Sequence, residues 1–328
     1  MNDLHFLPYF IWFLLLSLIF NDNNIEAIDH PEEFVNILAG TFTDGRKFST
    51  GNTLPLVGLP WGFNHWSPQS IEAHRGMSTW WFSGNSHEFT WLRCTHQPSP
   101  WIGDWGWFIF GPQMADDEPN HNPMQFWEPR AAVLTPYVID VILAPYQIRL
   151  ELTPTMHGAY IRITYPEVSE KRKYFCFREA EWVEEKSGQT DNYNSEPNES
   201  SITPTRRIRG VSRDVHIERL VVSNFGMYIA IESDPHTVTN IVEVSDMICF
   251  HYPAETTSTT ILIATSLISH EQASHNLKQE LYSRPRVDPD AESRSEDNNG
   301  VSPPVSPPLL SRSSYDSVYQ QAKDIWRM

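Results

Sequence analysis

Basic residues are scarce in this 328-residue sequence, where 24 lysines and arginines stand against 41 aspartates and glutamates. The formal net charge is -17. Proteins that bind nucleic acid attract the phosphate backbone with a basic surface, and this chain has no basic stripe that could serve. We therefore expect no nucleic acid among its partners.

Cysteine is also scarce, with only Cys94, Cys176 and Cys249. Three widely separated cysteines are too few for a disulfide scaffold or a zinc knuckle, and an odd count leaves at least one outside any bridge. The sequence predicts at most one disulfide and leaves its pairing open.

Long apolar runs are lacking, and the run from Tyr9 to Phe20 is short for a membrane span. It suits the apolar core of a signal peptide covering residues 1–27, although no Lys or Arg precedes it. The sequon Asn198-Glu199-Ser200 agrees with a secretory route and predicts a glycan on Asn198. We expect a secreted protein, with an uncleaved membrane anchor as the alternative.

Aromatic residues, by contrast, are abundant: they make up 12% of the chain and include 12 tryptophans. Together with a hydrophobic fraction of 40%, this content indicates a folded, globular protein. Aromatic rings also stack on the C–H faces of sugar rings. Carbohydrate is therefore the ligand class that the composition favours.

From residue 29 to about residue 112 no window keeps helical periodicity, which indicates short strands joined by ordered loops, and clear strand signals follow between residues 132 and 166. Alternating residues 146–152 and 159–165, on either side of Thr155-Met156-His157-Gly158, predict an antiparallel hairpin with one face in water. Further strands are predicted at residues 217–222, 226–232, 241–244 and 259–264. The fold class is all-β, in one domain over residues 30–281.

Two short helices and a polar segment close the chain. Ser269 is a plausible N-cap for a helix that runs to Leu281. Residues 283–313 are rich in proline and serine, which predicts a disordered linker or insertion. Residues 314–328 predict a helix with one apolar face, and such a helix requires a packing partner.

Several blocks of the sequence resemble glycoside hydrolase family 92, a family of α-mannosidases. The resemblance covers most of residues 34–280, and its blocks follow the order found in the family. They are Val35-Asn36-Ile37-Leu38-Ala39-Gly40-Thr41, residues 61–69 around Trp61-Gly62-Phe63, residues 91–99 around Thr95-His96, Gly103-Asp104-Trp105-Gly106, residues 151–166, and residues 263–277.

The resemblance implies an amino-terminal, galactose-mutarotase-like β-supersandwich. Family members are exo-acting, inverting, calcium-dependent α-mannosidases, and their catalytic residues and Ca²⁺ ligands lie in a following (α/α)6 barrel. No residue of this chain matches those motifs, so we assign it no catalytic residue and no cofactor, and Ca²⁺ is implied for the catalytic half alone. We expect an inactive half-enzyme whose last helix has lost its packing partner, a genuine short form, or a mannose-binding or interaction module.

Two carboxylates and three histidines in the tryptophan-rich region are candidates for catalysis or metal binding. Glu88 and Asp104 are the candidates for a hydrolytic carboxyl pair, but an Asp in a Gly-Asp-Trp-Gly turn usually bonds nearby backbone N–H groups. The spacing of His65, His87 and His96 matches no zinc motif. We interpret Asp104 as structural and the histidines as structural residues rather than zinc ligands, and His96 remains a candidate for contact with a sugar hydroxyl.

The sugar-binding prediction concerns the eight tryptophans between residues 61 and 107. Most of them are expected in the core or in a domain interface. In the family, loops of the sandwich face the barrel, and an aromatic residue shapes the subsite for the leaving group. The residues predicted to contact a mannose-containing glycan are Trp66, Trp80, Trp81, Arg93 and His96.

Overall fold

The structure is a computed structural model that describes eleven stretches of the chain: residues 30–42, 53–70, 82–96, 108–128, 130–167, 169–179, 207–211, 214–222, 225–244, 247–283 and 311–328. The predicted signal peptide, the Asn198 sequon and residues 284–310 lie outside them. Within these stretches, neither helix has the length and apolar character needed to cross a bilayer.

Strands make up most of the described chain. In chain order they are β1 (His65–Gln69), β2 (Glu88–Phe89), β3 (Trp91–Thr95), β4 (Phe108–Ala115), β5 (Gln125–Phe126), β6 (Val133–Thr135), β7 (Val138–Leu143), β8 (Ile148–Pro154), β9 (Gly158–Thr164), β10 (Arg172–Glu179), β11 (Arg207–Val211), β12 (Asp214–Val222), β13 (Phe225–Ser233), β14 (Asn240–Val244), β15 (Met247–Tyr252), β16 (Ser258–Ser266), β17 (Tyr282–Ser283) and β18 (Ser311–Arg312). The helices are α1 (His270–Leu281) and α2 (Tyr315–Arg327), and a 3₁₀ turn spans Pro31–Phe34.

Two antiparallel sheets form a sandwich. The first has six strands in the order β1-β3-β4-β10-β15-β14, and the second has eight in the order β11-β12-β13-β16-β9-β8-β7-β6. The short pairs β2–β5 and β17–β18 stand apart from both sheets. The predicted all-β sandwich is confirmed.

The predicted hairpin is formed by β8 and β9, in which Leu150 pairs with Ile163 and Leu152 with Ile161. Successive side chains of a strand point to opposite faces, so these four residues line the inner face of their sheet. They share one fully buried core with phenylalanines of the opposite sheet, namely Phe110, Phe175 and Phe250.

The outer face of the same hairpin is only partly in water: Arg149 and Thr164 are exposed there, as predicted, whereas the middle of the face is covered. Glu151 is buried there and accepts two hydrogen bonds from Arg162, at 2.7 Å from Nε and 2.6 Å from Nη2. The Arg162 guanidinium also lies 4.2 Å from the centre of the Tyr315 ring. Helix α2 thus covers the Glu151–Arg162 pair, which alternation along the strand cannot indicate.

Helix α1 begins as predicted, because the Ser269 side chain accepts a hydrogen bond from the backbone N–H of Gln272 at 3.1 Å. Its buried residues Ala273, Leu277 and Leu281 pack on the outer face of the eight-stranded sheet, in one cluster with Tyr160 and Leu262.

Helix α2 does not lack a partner within this chain, so that expectation was wrong. Its buried residues Tyr315 and Val318 join the α1 cluster on the sheet, and Ala322 packs with Leu59 and Tyr137. The sandwich itself therefore covers the apolar face of the helix.

Strands β17 and β18 bring the two ends of the proline- and serine-rich segment side by side. Tyr282 pairs with Arg312, and Ser283 pairs with Ser311. Adjacent ends are the arrangement expected of an insertion, which is one of the two alternatives for residues 283–313.

The one disulfide joins Cys176 to Cys249, which are direct cross-strand partners in β10 and β15. Cys94 lies buried in β3, outside this bridge. The expectation of at most one bridge is confirmed.

Lys173 of β10 is fully buried. Its Nζ donates to the carbonyl oxygens of Ala254 at 2.5 Å and Thr256 at 2.8 Å, and it lies 3.3 Å from that of Pro166. Burial lowers the pKa of this ammonium group. The lysine fastens the turn before β16 to the six-stranded sheet.

Replacing both Cys176 and Cys249 by serine should lower the free energy of unfolding by about 2–4 kcal/mol, because the open loop regains conformational freedom in the unfolded chain. Urea denaturation followed by tryptophan fluorescence measures the change. Reductant should lower the midpoint of the original chain and leave that of the double variant unchanged. Equal sensitivity of both proteins would contradict the bridge.

Lys173→Met keeps the buried stem but removes the donor, so the carbonyl groups at the turn lose their hydrogen bonds. We expect a loss of about 2–4 kcal/mol in the free energy of unfolding. Lys171→Met is the matched control, because Lys171 pairs at the surface with the exposed Asp116 and should matter little. Equal urea midpoints for the two variants would refute the role of the Nζ group.

Candidate functional site

Residues 58–63, here called the Trp61 loop, form a tight turn at one end of the sandwich. The N–H of Gly62 donates to the carbonyl of Leu59 at 2.8 Å, and that of Gly58 donates to Pro136 at 2.9 Å. Trp61 has a φ of 62°, which is uncommon for a residue other than glycine, and its side chain is 97% exposed. The turn thus presents an indole ring to solvent.

Phe63 follows the loop and is the centre of a small group of rings. Its N–H donates to the carbonyl of Met156 at 2.8 Å, and its own carbonyl accepts from Nδ1 of His96 at 2.5 Å. Its ring centre lies 4.3 Å from that of His96 and 5.4 Å from that of His157. We call Phe63, His96 and His157 the Phe63 cluster.

A carboxylate fixes one member of this cluster. Glu280, in the last turn of α1, accepts from Nδ1 of His157 at 2.5 Å and from its backbone N–H at 2.9 Å. The side-chain amide of Asn64 donates to the carbonyl of His157 and to Oγ1 of Thr265, both at 2.7 Å. The β8–β9 turn is thereby tied to the start of β1, to β16 and to α1.

His65 lies beside the cluster at the start of β1. Burial lowers the pKa of His65, and the neighbouring His96 lowers it further, so the ring is neutral at pH 7. Nδ1 of His65 and Oδ1 of Asn64 are both buried, without a hydrogen-bond partner. Both atoms are closed to solvent, so a ligand at the surface does not reach them.

The chemistry that this arrangement supports is binding. An exposed indole ring beside a phenylalanine, two histidines and a carboxylate combines an apolar platform with hydrogen-bonding groups, as sugar-binding sites do. Inverting hydrolysis of a glycoside needs two carboxyl groups on opposite sides of the bond. The hydrogen-bonded groups described around Phe63 supply one, Glu280, so they form no complete hydrolytic pair.

Trp66, one of the predicted sugar contacts, is placed in the core. Its side chain is 0% exposed, and its ring meets that of Phe110 edge-on at 5.6 Å. The pleat of β1 turns this indole toward the opposite sheet, so no face is open for a sugar to stack on. Trp80 and Trp81 lie outside the described residues.

Arg93 is also buried, and its Nε and Nη2 donate to Oε1 of Gln69 at 3.0 and 2.7 Å. This contact joins β3 to β1 and occupies part of the guanidinium group. His96, by contrast, is half-buried within the Phe63 cluster, and its predicted sugar contact stays a prediction.

The three histidines considered for zinc are not brought together. His65 and His96 are neighbours, whereas Nδ1 of His87 lies 3.5 Å from the exposed Glu128 carboxylate. Among the described residues, only His30, Glu32 and Glu33 have the spacing of a metal site, and Arg327 and Lys323 already pair with those carboxylates. Glu88 lies in the β2–β5 pair, and Asp104 is outside the described residues.

Trp61 is the residue that the sequence prediction missed. The available signal was Pro60-Trp61-Gly62, a turn-forming sequence in which a large ring cannot be drawn into a strand. Trp66, in the same block, has identical chemistry, and only the fold separates the two.

Comparison with solved structures agrees with this architecture. An inverting mannosidase of family GH92 from Bacteroides thetaiotaomicron matches 92% of this chain and 36% of its own, with a TM-score of 0.62 and 22% identity. A family GH92 alpha-mannosidase from the same bacterium, solved with mannoimidazole, matches 90% and 36%, with a TM-score of 0.58 and 16% identity. This chain therefore spans about 36% of the length of either structure. The search of the curated proteins found no significant match.

The family profile described as "Glycosyl hydrolase family 92 N-terminal domain" matches residues 34–261, which is more than half of the chain. Those residues hold all of the six-stranded sheet, all of the eight-stranded sheet except the end of β16, the Trp61 loop and all three members of the Phe63 cluster. The chain belongs to glycosyl hydrolase family 92 and carries its N-terminal domain.

Proposed function

We propose that this chain is the carbohydrate-binding, non-catalytic sandwich of a secreted, exo-acting α-mannosidase that hydrolyses mannose-containing glycans. The observation that carries the proposal is the family match over residues 34–261, in a chain that spans about 36% of the solved family structures. In this proposal, hydrolysis and Ca²⁺ binding belong to an (α/α)6 domain, which is the partner of the sandwich.

The Trp61 loop and the Phe63 cluster are the proposed contact with the glycan, on the side of the leaving group. The exposed indole ring offers a stacking surface, and the half-buried His96 offers a ring nitrogen close by. Trp61 takes the role that the sequence had suggested for Trp66, because it has an open ring face.

A second candidate function is a mannose-binding or interaction module that acts without a catalytic domain. The observation in its favour is that α2 packs on this chain's own sheet, so the described part closes its core without a barrel. A lectin of this kind would bind mannosides as the isolated chain.

Secretion is supported by the Cys176–Cys249 bridge, since disulfides persist in oxidising compartments. It also rests on the predicted signal peptide of residues 1–27 and on the sequon at Asn198.

Sequencing the transcript through and beyond the codon for Met328 is the first experiment. The chain is then expressed alone and, where the frame continues, joined to the region that follows. Hydrolysis of α-mannobiose by the joined form alone supports the enzyme proposal, whereas mannoside binding by the isolated chain supports the lectin. If neither form hydrolyses α-mannobiose or binds mannosides, both proposals are refuted.

Trp61→Ala should weaken mannoside binding about tenfold, because the sugar loses its stacking surface. In a joined, active enzyme the loss should appear in kcat/KM for substrates with a sugar leaving group and be small for aryl mannosides. Titration calorimetry and initial rates measure the two effects. Phe126→Ala is the control, since Phe126 is an exposed ring on β5. Equal behaviour of the two variants would remove Trp61 from the glycan site.

When the chain is made in a cell that glycosylates secreted proteins, a glycan on Asn198 should slow its migration in electrophoresis. Asn198→Gln removes the attachment site, so the variant should migrate faster. Treatment with an N-glycan-cleaving enzyme should bring the original chain to the mobility of the variant. Identical mobility before treatment, with the protein retained inside the cell, would contradict the secretory route.

A further inference from the structure

The Trp61 loop is held firmly at its two ends. Val57 pairs with Trp66 in an isolated bridge, and Phe63 is bonded to the carbonyl of Met156. Between these ends, within the described part of the chain, one backbone–backbone hydrogen bond leaves the loop, from the N–H of Gly58 to the carbonyl of Pro136. The position of the indole ring of Trp61 therefore depends on what packs behind the turn.

The last turn of α2 packs there. Nε1 of Trp326 donates to the carbonyl of Gly58 at 2.9 Å. Gly58 is thus hydrogen-bonded through both its N–H and its carbonyl group. Leu59 is buried in a cluster with Ala322, and Ile325 and Trp326 pack against the same cluster. One residue of the loop is thus bonded to the helix, and the next is packed on it.

The helix end is in turn anchored to the 3₁₀ turn by two ion pairs, here called the clamp. Nε of Arg327 lies 2.7 Å from Oε1 of Glu32, and Nζ of Lys323 lies 2.8 Å from Oε1 of Glu33. Burial opposes ionisation of Glu32, but the hydrogen bonds from Arg327 and the backbone, together with the Arg327 charge, outweigh it, and the pKa of Glu32 is lowered overall. The hydrogen bond and charge of Lys323 lower the pKa of Glu33. Both carboxylates are therefore ionised at neutral pH.

We propose that the last turn of α2 is a positioning element for the Trp61 loop, with Trp326 as the positioning residue and the clamp as its anchor. Because the loop has few other contacts, displacement of the helix end changes where the indole ring of Trp61 stands. The consequence for ligand binding rests on the proposed function, whereas the positioning itself does not.

The test uses the full chain labelled with 5-fluorotryptophan, with the Trp61 signal identified by its loss in Trp61→Phe. Trp326→Phe removes the N–H donor while keeping a smaller aromatic ring beside the Leu59 cluster. We expect the ¹⁹F resonance of Trp61 to shift or broaden, and the affinity for methyl α-mannoside to fall about threefold to tenfold. The combined variant Glu32→Gln and Glu33→Gln should move the same resonance through the clamp.

Asp316→Asn is the matched control, because Asp316 contacts Arg162 at the opposite end of the same helix, 3.3 Å from Nη1. Asp316→Asn should leave the Trp61 resonance unchanged even if it makes the helix slightly less stable. If Trp326 acted only by stabilising the helix, Asp316→Asn would change the resonance as well. Thermal midpoints are measured for every variant. If Trp326→Phe does not fold, the clamp variant carries the test.

An unchanged Trp61 resonance in both the Trp326 and the clamp variants would overturn the proposal, as would an equal change in Asp316→Asn. A moved resonance with unchanged mannoside affinity would uphold the positioning and refute the glycan contact of the loop. A fall in affinity with an unmoved resonance would refute the positioning.

Discussion

Burial of the two inner sheet faces against each other is the interaction on which the rest of this structure depends. Isoleucine and leucine side chains of β8 and β9 meet phenylalanines of β4, β10 and β15, and the core between them is fully buried. Apolar area removed from water contributes roughly 25 cal/mol per Å². The loops at the ends of the sandwich can therefore carry uncommon backbone geometry, such as that of Trp61, because the core supplies the stability.

The elements that the sequence predicted well are those whose signal is local. The β8–β9 hairpin alternates in polarity around a turn, and Ser269 caps its helix by accepting from a backbone N–H only three residues away. Strand β10 was missed because Tyr174-Phe175-Cys176-Phe177 is apolar on both faces, a pattern that short sequence windows do not distinguish from other buried segments. The docking of α2 was also missed, since its partners Leu59 and Tyr137 are far away in the chain.

The candidate site was predicted in part for the same reason. His96 was identified from its sequence block and lies in the Phe63 cluster. The members of that cluster, and the Glu280 carboxylate that holds His157, are far apart in the sequence, and only the fold brings them together. The choice between Trp61 and Trp66 depends on the pleat of β1 and on a turn with positive φ. Neither is a property of tryptophan, so composition could not decide it.

The short β17–β18 pair has a consequence for how this domain can vary. Because the pair fixes the ends of residues 284–310 next to each other, the helix that follows keeps its place whatever lies between them. The entropic cost of closing a flexible loop rises only about 0.6 kcal/mol for each doubling of its length. Relatives of this protein can thus gain or lose sequence at this point at little cost, and a reporter or affinity tag inserted there would leave the sandwich and its terminal helix joined.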